Sequence, residues 1–217
     1  MRTLSKRSLL TAAVAVALVL GASPSVTAAP SAATAVITEL NSTFLDVMKN
    51  ATTLGYVGRR DKIAPAVDKA FDVPFMAEKV LGKHWNPLSE AERTRWVELF
   101  REFLTANYAG RLNRYSGQSF ENVLEEPSAV DTVMVHTRLV DPGGENVDLN
   151  YRLHQTPAGW RIVDVYLKGT VSELALRRSD YTAVIERDGF EALATYLKEK
   201  MAALEAGKAD SPVPAPE

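Results

Sequence analysis

Residues 147–154 read VDLNYRLH, with an apolar side chain at every odd position and a polar one at every even position. Such strict alternation is typical of a β-strand with one buried and one solvated face. The predicted strands cover residues 120–124, 132–140, 147–153 and 160–167. Pro- and Gly-containing turns at 141–144 and 156–159 separate neighbouring strands, so the sequence predicts consecutive hairpins in a twisted antiparallel meander of about four strands.

Helical spacing occurs on both sides of the meander. Before it, Ser89 and Glu92 form a capping box, and apolar and aromatic residues then recur every three to four positions as far as Tyr115. The predicted helices begin at residue 36 and cover residues 61–71, 75–81, 89–115, 174–187 and 190–204. Helices first, a curved sheet next and helices last predict an α+β fold, with the sheet packed against several helices.

The first 28 residues have the composition of an export signal. Three basic residues within the first seven precede an apolar run of about a dozen residues, and small residues follow as far as Ala28. The run is shorter than the roughly 20 residues of a membrane span, so an uncleaved anchor is the less favoured alternative. We expect a soluble exported chain with one domain over residues 29–205 and a disordered tail over residues 206–217.

Composition argues against several classes of function. The chain has 217 residues, 25 Lys and Arg against 27 Asp and Glu, and no Cys. Such a balanced charge does not favour a nucleic-acid partner, and without Cys there is no disulfide, thiolate nucleophile or Cys-ligated zinc. The sequence also lacks the phosphate-binding, nucleophile-elbow and zinc-protease motifs. We therefore expect neither a cofactor nor a metal.

Two side chains could still support catalysis. Asp164 interrupts the apolar run of its strand, and a carboxylate inside a sheet must be paired, exposed or shifted in pKa. The structural interpretation is a salt bridge to Arg177 or Arg178. The catalytic interpretation is a general base that acts with His136 on a hydrophobic substrate. His154 is interpreted as a solvated residue on the polar face of its strand.

The aromatic stripe of the helix over residues 89–115 also has two interpretations. Its members are Trp96, Phe100, Phe103, Tyr108 and Tyr115. They can form an ordinary core, or some of them can form the wall of a cavity that the helix and the curved sheet leave between them. Periodicity alone does not separate the two interpretations.

A series of short motifs runs in order along residues 36–204. They are residues 80–82, Trp85, Ser89, Arg93, 100–104, Tyr108, Leu112, Tyr115, 117–120, 141–142, Gly144, 147–151, 159–160, 164–165, Gly169, 178–181, Gly189 and Leu193. In order and spacing they resemble the MlaC/toluene-tolerance family of periplasmic lipid-binding proteins. One departure is the segment 169–175, which is one residue longer than the family pattern and resembles the branch associated with hopanoid biosynthesis.

The resemblance implies a soluble lipid carrier and not an enzyme. It implies a phospholipid or a hopanoid-type lipid as cargo, and an inner-membrane ABC transporter complex and an outer-membrane lipoprotein complex as partners. At roughly 0.8 kcal/mol per buried CH₂, two tails of about 16 carbons need about 25 kcal/mol of apolar shelter. An enclosed cavity could provide this, and a surface patch could not.

We expect the lipid-binding cavity to be lined by apolar side chains from both layers. The candidates are Phe75, Trp96, Leu99, Phe103, Tyr108, Leu112 and Tyr115 from the helices, and Val133, Val135, Leu149, Tyr151, Val163 and Val165 from the sheet. Two alternatives stay open: an enzyme that uses Asp164 and His136, and a cell-envelope adaptor with a solid core and no cargo.

Overall fold

The computed structural model describes residues 31–207. The predicted signal peptide and residues 208–217 of the predicted tail lie outside the described residues. The elements in chain order are α1 (Ala32–Lys49), α2 (Ala51–Ala70), α3 (Val73–Leu81), α4 (Glu90–Arg111), β1 (Ser119–Ser128), β2 (Thr132–Val140), β3 (Val147–Thr156), β4 (Gly159–Leu167), β5 (Val171–Ser172), α5 (Glu173–Asp188) and α6 (Phe190–Glu205). A short 3₁₀ turn, Gly82–His84, follows α3.

The five strands form one open sheet in the order β1-β2-β3-β4-β5, and every neighbouring pair is antiparallel. The predicted α+β class and antiparallel meander are confirmed. The sheet differs from the prediction in two details, because β1 runs four residues past Leu124 and a two-residue β5 adds a fifth strand. Bulges interrupt the register of β1 and of the β3–β4 pair.

One face of the sheet is covered by helices, and its burial changes along the strands. Across β2, β3 and β4 the residues Val135, Tyr151 and Val165 lie side by side, and all three are buried. Towards one end, Leu153 is fully buried, whereas Leu149 at the other end is only half-buried. The helical layer therefore closes tightly over one end of this inner face and less tightly over the other.

Helix α1 joins the two layers. It packs directly on β1, β2 and β4, whereas α4 packs chiefly against the helices α2, α3 and α6. The spacing of three to four residues between Ile37, Leu40, Phe44 and Val47 gives α1 the apolar face that this packing buries. Helix α4 is therefore held by the other helices, and it faces the sheet without packing directly on the strands.

Several helix ends differ from the sequence prediction. Helix α1 begins at Ala32, because Ser31 caps it through the Thr34 N–H at 3.1 Å, and not at residue 36. Helix α4 ends at Arg111 and not at Tyr115, although the apolar spacing continues through Leu112. The chain leaves the helix there and reaches β1 through Gly117, whose φ of 100° is open to glycine at little cost.

The second helix is longer than predicted. Helix α2 covers Ala51–Ala70, and not residues 61–71 alone, with a break at Gly55, whose φ is 59°. The next helix, α3, also begins before the predicted residue 75, because Asp72 accepts a hydrogen bond from the Phe75 N–H at 3.0 Å. Capping and glycine conformation, and not the apolar period, set these boundaries.

The capping box of α4 gives a direct test of the fold. The Ser89 hydroxyl accepts from the Glu92 N–H at 3.3 Å, and the Glu92 carboxylate accepts from the Ser89 N–H at 2.8 Å. We predict that Ser89→Ala lowers the free energy of unfolding by about 1 kcal/mol in a urea titration. Ser179→Ala, at an exposed position within α5, is the matched control and should change it little. An equal loss in both variants would contradict the capping role.

Candidate functional site

A cavity of about 300 Å³ lies between the inner face of the sheet and the helices α1, α4 and α5. It occupies the end of the sheet at which the helical layer closes less tightly. Its apolar wall is formed by Phe44, Met48, Met76, Leu104, Tyr108, Leu112, Phe120, Leu139, Val147, Leu149, Tyr151, Val165, Leu167 and Leu174. This volume is at the lower end of the range for small-molecule pockets, which is about 300 to 1,000 Å³.

Tyr108 of α4 sits where the two layers meet. Its ring centroid lies 4.7 Å from that of Phe44 on α1 and 5.9 Å from that of Phe71. Burial raises the pKa of Tyr108, and it likewise raises the pKa of Tyr151 across the cavity on β3. Both phenols therefore stay neutral, and the middle of the wall carries no charge from either ring.

Charged side chains gather on one side of the cavity. Arg111 and Arg114, at and just after the end of α4, are exposed and mark an opening to solvent. Further in, Arg177 of α5 pairs with Glu173 at 3.3 Å and lies 5.2 Å from the centre of the Phe103 ring. The cavity is thus amphipathic, with an apolar body and a charged side that reaches the surface.

Five of the thirteen residues proposed from the sequence lie in this wall. They are Tyr108, Leu112, Leu149, Tyr151 and Val165. Phe103 packs in the core under Arg177 without lining the cavity. The structure therefore brings the centre of α4 and the inner faces of β3 and β4 together around one space.

The other seven proposed residues lie elsewhere. Trp96 and Leu99 line a separate groove beside α6, and Phe75 and Val163 line a second cavity behind the sheet. Tyr115 is in the loop after α4 and is 41% exposed. The remaining two are Val133 and Val135, which lie on the inner face of β2 outside the cavity wall.

Sequence reasoning missed the contribution of α1 and of the strand ends. Phe44 and Met48 stand one helical turn apart on the buried face of α1, and this i, i+4 pair was a readable signal. Leu139 and Leu167 occupy inward positions near the ends of β2 and β4, where the period of two is equally clear. Nothing in the sequence marks which end of the sheet remains open.

Asp164 is held by neutral groups and not by an arginine. Its carboxylate accepts hydrogen bonds from the Val165 N–H at 2.8 Å, the Ser172 hydroxyl at 2.7 Å and the Leu174 N–H at 3.2 Å. The expected salt bridge to Arg177 or Arg178 is therefore replaced by a cap on the start of α5. Burial raises the pKa of this carboxyl.

The two candidate catalytic groups do not share a site. His136 lies on β2 and contacts Glu126 at 2.9 Å, while Asp164 lies on β4 with β3 between them. The interpretation of His154 as a solvated residue is wrong. Its Nε2 lies 2.8 Å from the Asp72 carboxylate, and its ring centre lies 5.1 Å from that of Phe75.

Within residues 31–207, no three His, Asp or Glu side chains are arranged to hold a metal ion. No helix of this same region combines the length and the apolarity needed to cross a bilayer.

An open antiparallel sheet with an apolar cavity under its helical layer defines the structural class of this protein. The chain belongs to the MlaC family, because the family model described as MlaC protein matches residues 38–199. Its fold is also similar to that of a phospholipid-binding protein from Ralstonia solanacearum, solved in complex with a phospholipid. The TM-score is 0.66 at 23% identity, and the match covers 79% of this chain and 98% of the other.

The contacts of Asp164 predict that Asp164→Ala and Asp164→Asn differ in their effect on the free energy of unfolding. Asp164→Ala removes the acceptor of two backbone N–H groups and one hydroxyl, so we expect it to lower the free energy of unfolding by about 2 kcal/mol. Asp164→Asn keeps the carbonyl acceptor and can donate to Ser172, so it should stay close to wild type. Urea unfolding at pH 7 measures both variants.

The pH dependence of stability provides the matching control. Because the folded-state pKa of Asp164 is raised above 3.8, the folded chain holds this proton more tightly than the unfolded chain. The wild type should therefore lose stability relative to Asp164→Asn as the pH rises from 3.8 through the raised value. A wild type that gained stability relative to Asp164→Asn over this interval would contradict the assignment.

Proposed function

We propose that this protein is an exported carrier that encloses the apolar part of a phospholipid in the cavity between its sheet and its helices. Membership of the MlaC family supports a lipid-transport role. The similar protein from Ralstonia solanacearum was solved with a phospholipid, which supports this class of cargo. The observation that carries the proposal is the apolar cavity at the open end of the sheet.

The chemistry of the wall fits an amphiphile. Lipid tails gain about 0.8 kcal/mol for each CH₂ removed from water, and the wall offers aliphatic and aromatic side chains for this contact. Arg111 and Arg114 stand at the exposed side, where a phosphate headgroup would remain in water. The tails would thus lie among Leu149, Tyr151 and Leu174, with the headgroup towards the arginines.

A carrier of this kind does not use chemistry of its own. His136 and Asp164 lie on different strands with different partners, which supports binding over catalysis. Transfer has no energy source within the chain, so its direction would be set by the membrane complexes that load and unload it. We propose an inner-membrane ABC transporter complex and an outer-membrane lipoprotein complex as these partners, in the periplasm, after cleavage near Ala28.

The identity of the cargo is tested by organic extraction of the purified protein followed by mass spectrometry. We expect phospholipid in a fixed ratio to protein. The longer segment after β4, which includes Gly169 and Thr170, resembles the hopanoid-associated branch, and for that cargo the extract would contain a polycyclic terpenoid instead. An extract without lipid from protein isolated in its native compartment would favour the cargo-free adaptor.

A charge introduced into the apolar part of the wall should weaken lipid binding. Leu149 lies on the inner face of β3 and lines the cavity. A carboxylate at this position would have to be buried against the tails, so we expect Leu149→Asp to reduce co-purified lipid about tenfold or more. Thin-layer chromatography and mass spectrometry of extracts measure the change.

Two variants serve as controls for this experiment. Leu124→Asp introduces the same charge on β1 at a residue that is 53% exposed and outside the cavity wall. Leu149→Met keeps the apolar volume. Both should retain lipid, and circular dichroism should show native helix content in all three. Unchanged lipid in folded Leu149→Asp would exclude this cavity as the binding site.

A further inference from the structure

A second cavity, of about 530 Å³, lies behind the sheet. Arg152 and Asp164 occupy facing positions on β3 and β4, and they alternate with Tyr151 and Val165, which face the first cavity. The second cavity therefore lies on the opposite face of these strands. Leu174 of α5 lines both cavities and forms part of the partition between them.

Positive charge dominates this second cavity. Lys79 of α3, Arg152 of β3 and Arg178 of α5 line it, against the single carboxylate of Asp164. His154 also lines it, but it is already engaged with Asp72 at 2.8 Å. Lys79 pairs with Glu78 at 2.7 Å on the exposed side of α3, so the positive charge without a carboxylate partner belongs to Arg152 and to the exposed Arg178.

Asp164 does not form an ion pair with either of these arginines. Its two oxygens already accept from Val165, Ser172 and Leu174. Among residues 31–207, neither Arg152 nor Arg178 has an ion-pair partner within 4.0 Å. The Nε–H of Arg152 is buried and meets no protein acceptor. A buried guanidinium donor without an acceptor is costly, and such donors in folded proteins usually have a partner.

Each of the two guanidinium groups lies close to a neighbouring residue. That of Arg152 lies 5.1 Å from the centre of the Tyr166 ring. That of Arg178 lies against Gly82, where an added Cβ would come within 2.7 Å of its Nε. Both side chains line the same cavity, and the planar set of N–H donors on a guanidinium group suits the oxygens of a phosphate.

We propose that this second cavity binds a phosphate group, either of a free phosphorylated molecule or of a lipid headgroup. Arg152 and Arg178 donate to the phosphate oxygens, and the buried Nε–H of Arg152 gains its acceptor. Phe75 and Val163 form an apolar side of the cavity for the organic part of the ligand. The site is separate from the first cavity, which we call the tail cavity because we propose that it encloses the lipid tails. It does not depend on the proposed carrier function.

Titration calorimetry with inorganic phosphate, at constant ionic strength, tests whether the site binds the phosphate of a free molecule. We expect saturable binding to the full chain, at least about tenfold weaker in the double variant Arg152→Gln/Arg178→Gln. Arg178→Gln alone should weaken it in the same direction, and it keeps the fold because this side chain is exposed. Arg187→Gln, an exposed arginine of the same helix that pairs with Asp188, is the matched control and should bind as the wild type does.

Flotation with vesicles tests whether the site binds the phosphate of a lipid headgroup. Vesicles of phosphatidylcholine that contain phosphatidic acid are compared with pure phosphatidylcholine. Binding to the former, lost in the double variant, would assign the site to a headgroup even if inorganic phosphate does not bind. The proposal is overturned if neither probe binds, or if the double variant binds as well as the wild type.

Cross-tests separate this site from the tail cavity. Leu149→Asp should lose co-purified lipid and keep phosphate binding, whereas Arg152→Gln/Arg178→Gln should show the reverse. Loss of both properties in either folded variant would overturn the assignment of two independent sites. A failure of lipid extraction in the wild type would leave the phosphate titration unaffected.

Discussion

The structure depends on an uneven closure of the helical layer over one face of a twisted sheet. Helix α1 lies on the strands and buries the inner face at the end marked by Leu153 and Ile162. At the other end Tyr108 packs against Phe44 of α1, and α4 faces the sheet without covering it. Close packing of apolar surface drives folding at one end, and the same alternation of side chains leaves an apolar space at the other.

Much of the fold could be predicted because a period of two is a local property. The limits of β2 match residues 132–140, and the hairpins follow from Gly and Pro in the turns. The errors lie at helix ends, where local chemistry competes with the apolar spacing. Leu112 continues the spacing of α4 but lies outside the helix, and Gly55 divides a helix that the sequence pattern showed only in its second half. Burial of a side chain does not require that its backbone be helical.

Less of the candidate site could be predicted. Periodicity identifies which face of a strand or helix is buried, but it does not identify which residues along that face reach the cavity. Tyr151 and Val135 are neighbours on one face of the sheet, yet only Tyr151 reaches the cavity. The extent to which the helical layer closes over the strands decides this difference, and no residue spacing encodes it. Asp164 was correctly singled out as unusual for a strand, but two of its three partners come from β5 and the start of α5, which follow it in the chain by eight to ten residues.

The positions of the tryptophans have a spectroscopic consequence. Trp85, Trp96 and Trp160 are the three tryptophans of the chain, and none of them lines the tail cavity. Trp96 is buried instead against Tyr181 and Phe190 on the far side of α4. We therefore expect tryptophan fluorescence to report the packing around these three residues and to change little when the cavity is loaded. An indole placed in the cavity wall would turn the same measurement into a reporter of loading and release.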